Sequence, residues 1–281
     1  MATRTWLDVD GNLANTANYS GGVLPTTGDN WHILRGLKSL DTNLNQFASV
    51  ALADIRIGSD FAALFGHAGQ AVALGALTGI IRIDAPQAPE IHIAPTSVSK
   101  MIISRCGAGV YGCYLRGSGT VTELTHAQGQ LRIASASAVT DLRLHGGAVH
   151  IEGGATITNA YADAGTGVCE AAIGTRLEVT GAARWIHQGT TTGNIGTLIV
   201  AGENAVFEFA CRFNATITTA QVRRGTLRVR SPDVKTITTL TVLPGASVTA
   251  DHPGTLVVST LNVYHGASVR NIVANTTNNY T

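Results

Sequence analysis

The chain has 281 residues and a mass of 29.1 kDa, so its side chains are small on average, and Gly occupies 32 positions. Only 13% of the residues are charged, about half the usual share, while 44% are hydrophobic, the reverse of the composition that keeps a chain disordered. A formal net charge of +1 supplies no basic field, so general electrostatic binding of nucleic acid is not expected.

Residues 1–50 do not share the pattern that follows. The opening MATRTWLDVDGN has no apolar core of a secretory signal. Asp8-Val9-Asp10-Gly11-Asn12 faintly matches a calcium loop, but the twelfth position is Tyr19 where an EF-hand needs Glu, so an Asp-Gly turn is the reading. Ala62 to Ile81 lacks Asp, Glu, Lys and Arg for about the length of a membrane span. Gly66, His67, Gly69, Gln70, Gly75, Thr78 and Gly79 interrupt it, so it reads as buried core and no membrane association is expected. Gly107-Ala108-Gly109-Val110-Tyr111-Gly112 fits the dinucleotide pattern G-x-G-x-x-G. That motif needs a helix next, and the sequence continues as CYLRGSGTVTEL, which is strand and turn. Cys106, Cys113, Cys169 and Cys211 form no Cys-x-x-Cys pair and read as buried free thiols.

From Val121 the chain repeats itself. A six-residue phrase recurs as VTELTH (Val121), VTDLRL (Val139), ITNAYA (Ile157), IGTLIV (Ile195), ITTAQV (Ile217), ITTLTV (Ile237) and VSTLNV (Val258). Successive phrases are 18, 18, 38, 22, 20 and 21 residues apart, and 38 reads as two turns with the diverged RLEVTG at Arg176 between them. Most phrases run into a turn glycine (Gly129, Gly147, Gly165, Gly202, Gly225, Gly245, Gly266) and a second short apolar stretch follows. Each repeat therefore holds two or three short strands and no helix.

Parity inside the phrase sets the geometry. In ITTLTV, Leu240 and Val242 share a face, but Ile237 lies three residues from Leu240 and would face away on a straight strand. All three are apolar, so the chain must turn a corner near Thr238-Thr239. Short strands joined by corners, with a repeat of about 20 residues, predict an all-β fold: a right-handed parallel β-helix, or solenoid, with inward aliphatic ladders. The expected organisation is an irregular N-terminal cap or attachment segment over residues 1–50, the β-helix over 51–270, and a polar C-terminal tail over 271–281.

The order Trp6, Asp10-Gly11-Asn12, Ala17-Asn18-Tyr19-Ser20-Gly21-Gly22, Pro25, Gly28-Asp29 and Trp31-His32-Ile33 resembles the entry segment of repetitive β-helical proteins on bacterial and phage surfaces. With LNQFASVALADIRIG (Leu44 to Gly58), ITTLTVLPGASV and VSTLNVYHGASV, most of the chain resembles β-helical virion proteins of tailed bacteriophages and prophages. The resemblance implies a capsid decoration or cement protein on the outer surface of a phage head, made in the host bacterial cytoplasm. Its partner would be the major capsid protein or another virion protein, and a homo-oligomer, with a trimer favoured, would suit threefold positions. Because the shared motifs are structural, the resemblance transfers no catalytic residues.

Other functions have specific candidates. Glu123, Asp141 and Asn159 occupy one phrase position in successive repeats, and two carboxylates about 5 Å apart would suit a polysaccharide depolymerase. Later repeats place Thr197, Thr219, Thr239 and Thr260 there, which favours tolerated polar corners over catalysis. A tail-fibre or host-recognition module is the other alternative. His145, His150 and His265 are dispersed, so no metal is expected, and no cofactor either. Arg212, Arg223, Arg224, Arg228 and Arg230 fall within about one repeat, with only Glu208 and Asp233 near them in sequence. That band, with Trp6 and Trp31, is the expected partner contact.

Overall fold

A computed structural model describes residues 1–107, 112–189 and 193–281. Among them the only helical turns are the 3-10 segments Thr16–Asn18 and Ser20–Gly22, and the rest of the regular structure is strand. The strands pair in parallel with the next turn of chain, giving a β-solenoid of about 11 turns of about 21 residues. Two compact units are distinguished, Met1–Thr140 with Gly147–Val149, and Asp141–Gly146 with His150–Thr281.

In the N-terminal unit the parallel ladder starts with Thr3–Thr5, which pairs with Asn30–Gly36, and that strand pairs with Ile55–Phe61. The 1–50 boundary therefore falls inside the ladder. Val72–Ala85, Ile91–Cys106 and Thr120–His126 continue it. Alternation places Trp31, Ile55, Ile81, Met101 and Leu124 in one inward row and Ile33, Ile57, Ile83, Ile103 and His126 in another, all fully buried. Ala62 to Ile81 is turn and strand, with Val72, Leu74, Leu77 and Ile81 buried.

The first coils are filled by a cluster of rings. Trp31 lies 4.9 Å from Phe47 and 5.8 Å from Phe65, centroid to centroid, and Tyr19 meets Trp6 edge to face at 5.4 Å. The Tyr19 hydroxyl is satisfied by donating to the Leu13 carbonyl at 2.9 Å. Trp6 and Trp31 are 1% and 0% exposed, so the expectation that they contact a partner is corrected: they are core.

In the C-terminal unit the recurring phrase is the ladder itself. Ile157, Ile173, Ile195, Ile217, Ile237 and Val258 stack in register, as do Leu177, Leu198, Ala220, Leu240 and Leu261, and Val179, Val200, Val222, Val242 and Val263. The corner lies where parity requires it: in Lys235–Val242 both Ile237 and Leu240 are buried, while Thr238 between them is exposed. The strand runs unbroken through that bend. The 38-residue gap does contain two turns, because Ile173 pairs with Ile157 on one side and Ile195 on the other. One extra residue between Ile173 and Leu177 makes a bulge, and this is what hid the phrase.

Turn glycines act in two ways. Gly129, at φ +92°, adopts a backbone that L side chains rarely take, whereas Gly202 has ordinary φ and is required by close approach. A Cβ on Gly202 would sit 2.4 Å from the Gly181 carbonyl oxygen. A third glycine makes room for a ring: a Cβ on Gly167 would lie 2.3 Å from the indole of buried Trp185, its register partner on the next coil. Gly167→Ala is expected to destabilise the C-terminal unit by about 1–3 kcal/mol, the usual cost of overpacking, measured as a shift in its denaturant midpoint.

The expected polar tail is a strand. Ile272–Tyr280 pairs along its length with Leu256–Tyr264, Tyr280 stacks on Tyr264 at 4.6 Å, and Asn278 donates to Asn262. In its inward positions Ala274, Thr277 and Asn279 follow Val258, Leu261 and Val263, so the ladder turns polar in its last coil.

Candidate functional site

Each candidate carboxylate is committed to a neighbouring coil. Glu123 is carried on Thr120–His126 opposite Lys100 of Ile91–Cys106, and the Lys100 ammonium lies 2.8 Å from its Oε1. Asp141 accepts a hydrogen bond from the Asn159 side-chain amide at 2.9 Å. Asp141 and Asn159, which share one phrase position, thus meet across coils as expected, and their contact is a closed polar rung. Glu123→Ala is expected to change stability by about 0.5 kcal/mol or less, because the ion pair is partly exposed. Thermal unfolding checks this, and a loss above about 2 kcal/mol would assign Glu123 a larger structural role.

The arginine band is also more neutral than its sequence neighbourhood. Arg224 pairs with Glu203 at 2.9 Å, Arg228 holds Asp251 through two bonds of 2.9 and 3.1 Å, and Arg230 reaches Glu208 at 2.8 Å. Glu208 is buried and is shared with Arg184, 2.7 Å away. Burial works to raise the Glu208 pKa, and the hydrogen bonds from Arg230 and Arg184 outweigh it and hold the carboxyl below its usual value. Arg223 donates to Gln221, and Arg212 is exposed. Glu203 and Asp251 lie about one coil away in sequence, which is why a local scan for acidic neighbours missed them. The expectation of an unneutralised basic band is corrected accordingly.

The remaining motifs resolve as structure. Asp10 accepts from the Asn12 amide and from the Asn15 and Asn18 side chains at 2.7–2.9 Å, and these bonds, led by Asn18, lower its pKa. Its carboxylate thus closes its own turn. Asp8 caps the backbone amides of Leu37 and Lys38. Residues 108–111 of the G-x-G-x-x-G match lie outside the described residues, and after Gly112 comes the strand Cys113–Leu115 where that motif needs a helix. His145 contacts Asp163 at 2.8 Å and His150 contacts Glu170 at 3.1 Å, each pair joining neighbouring coils. Among the described residues no three His, Cys, Asp or Glu side chains gather to hold a metal ion, and no helix is long and apolar enough to cross a membrane. All four cysteines are free and buried. Burial pushes the Cys106 and Cys169 thiols up to about 12 and Cys211 to about 11, which makes them inert at neutral pH.

Sequence reasoning passed over several buried polar groups. His92, His126, His187 and Lys235 are each 0% exposed. His126 is the last residue of VTELTH, the inward position that Val242 fills in ITTLTV, so the parity of the phrase was the signal that would have placed it in the core. Lys235 donates to the Asp233 carbonyl at 3.0 Å, and burial lowers its pKa. Comparison with protein-family models, curated proteins and solved structures finds no match.

Proposed function

We propose that this protein is a structural component of a phage particle, a capsid decoration protein that adheres to the outside of the head. The reading is supported by the resemblance of the entry segment and the repeated phrases to β-helical virion proteins. One observation carries it further: exposed apolar side chains concentrate in the first coils. Leu7, Val9, Val23, Leu34 and Leu37 are all exposed, Leu37 by 82%. Asp8 ties Leu7 and Val9 to Leu37 by accepting from the Leu37 amide. Val234, Val273 and Tyr280 are exposed in the C-terminal unit, but the larger group lies in the first coils, and it replaces Trp6 and Trp31 as the proposed contact residues. Attachment then works through buried apolar area multiplied over many copies, with a trimer as the proposed unit. The partner is the major capsid protein.

The test is to add purified protein to undecorated particles. Wild type is expected to bind at a copy number comparable to the head protein and to raise the heat tolerance of the shell. The Leu7→Ser/Leu37→Ser double variant, whose changes are at exposed positions, is expected to bind at least tenfold more weakly. Binding confined to tails, or equal binding by the double variant, would overturn the assignment.

A further inference from the structure

Charges on this surface recur as opposite pairs, one coil apart. Arg105 holds Asp84 at 2.6 and 3.0 Å, Lys100 holds Glu123, Arg228 holds Asp251, and where Arg184 and Arg230 converge they share Glu208. One row in the N-terminal unit breaks this arrangement. His32, Arg56 and Arg82 are in register on three successive strands. Each is the outward residue between two buried ones: Trp31 and Ile33, Ile55 and Ile57, Ile81 and Ile83. Arg56 and Arg82 are both exposed and face each other across a strand spacing of about 4.8 Å.

Like charges directly opposite on paired strands are destabilising. Among the described residues neither arginine is in an ion pair with an adjacent carboxylate, although the Arg56 charge is near enough to help lower the Asp84 pKa after the hydrogen bond from Arg105. Asp54 accepts from the Ile80 amide at 2.6 Å, and Asp84 is occupied by Arg105. Burial, and then the Arg56 guanidinium, lower the His32 pKa, so that imidazole is neutral at pH 7 and the two arginines carry the charge. Arg56 and Arg82 line one open groove together with Asp84, Ile102 and Ser104. Ile102 supplies apolar surface, Ser104 a hydroxyl, and the Asp84 carboxylate in the lining is paired with Arg105.

We propose that Arg56 and Arg82 form a binding site for a phosphate or sulfate group, one oxyanion bridging two coils. Guanidinium forks arriving from successive rungs need acceptor oxygens directed at both. A tetrahedral oxyanion provides them, and arginine binds such groups through paired charge-assisted hydrogen bonds. The bound anion also removes the repulsion that the empty row carries. The ligand class is therefore a phosphate ester or a sulfated saccharide.

Thermal unfolding of the full chain tests this, using inorganic phosphate and inorganic sulfate in separate arms against chloride and acetate at equal ionic strength. At about 20 mM, phosphate or sulfate is expected to raise the Tm of wild type by about 2 °C more than the controls. The larger of the two shifts identifies the source of the oxyanion. Arg56→Gln and Arg82→Gln are expected to lose that extra shift, while Arg223→Gln, an exposed arginine elsewhere, keeps it. In chloride alone, Arg82→Gln is expected to melt no lower than wild type because a like-charge contact has gone. Equal shifts in all four salts, or an undiminished phosphate and sulfate shift in Arg82→Gln, would overturn the site. A lower Tm of Arg82→Gln in chloride would make the arginine a structural tether and overturn it as well.

Discussion

Trp31→Ala is expected to cost about 3–5 kcal/mol, the range for truncating a fully buried large aromatic. Trp31 is 0% exposed, begins the inward row that continues through Ile55, Ile81, Met101 and Leu124, and touches the rings of Tyr19, Phe47 and Phe65. Loss of the indole leaves a cavity lined by those rings and by Ile55, and the hydrogen-bonded coils that carry them limit how far it can collapse. The contrast is Leu37→Ala, at an 82% exposed position, which should stay within about 0.5 kcal/mol of wild type. In a solenoid each coil is stabilised chiefly by its neighbours. The loss should therefore be local, with faster amide exchange in Asn30–Gly36 and Ile55–Phe61 than in the C-terminal unit. A midpoint shift equivalent to less than about 1 kcal/mol would mean that these rings do not hold the first coils together.

The same residue shows where the sequence could be read and where it could not. Ile237, Leu240 and Val242 announced an inward triad because their spacing has one physical solution, a corner, and the repetition of the phrase confirmed it independently. Trp31 had no such support. It stands among Asn, Asp and Gly residues in a segment without a repeat, and an aromatic in polar surroundings reads equally well as contact surface. The arginines failed for another reason. The partners of Arg224 and Arg228, Glu203 and Asp251, are about 20 residues away, and only the coil register makes them neighbours. Ile272–Tyr280 read as a polar tail outside the β-helix because its side chains are polar, yet its backbone pairing with Leu256–Tyr264 needs no apolar side chains. Local composition thus reported burial where a pattern repeated, and misreported it where the packing was set by a neighbouring coil.

The buried histidines lead to the second large effect, loss of stability in mild acid. His187 lies at 0% exposure between Cys169 and Phe209 of the adjoining coils, with the ring of Phe207 stacked 6.4 Å away. Its Nε2 donates to the Gly193 carbonyl at 2.8 Å, and among the described residues Nδ1 has no partner. Burial outweighs the help of that carbonyl and pushes the pKa from 6.5 down to about 4. Between those values the unfolded chain binds a proton that the folded chain does not. Stability is therefore complete above the unfolded pKa and falls as pH drops from about 6.5 toward 4, by about 3 kcal/mol in total for this one residue. His92 and His126 shift in the same direction, burial being the main cause in each; contact with Glu90 partly offsets it for His92, and the Gly129 and Ala148 backbone for His126. Carboxylates do not account for this window, since Asp29 is held near 2 and Asp84 and Asp251 are also lowered, so their contributions fade at more acid pH. Denaturant midpoints measured from pH 7 to 4.5 should fall, and the fall should be shallower by close to one proton in His187→Leu, whatever that variant loses at neutral pH. An unchanged slope in His187→Leu would mean that this imidazole is already protonated in the folded protein.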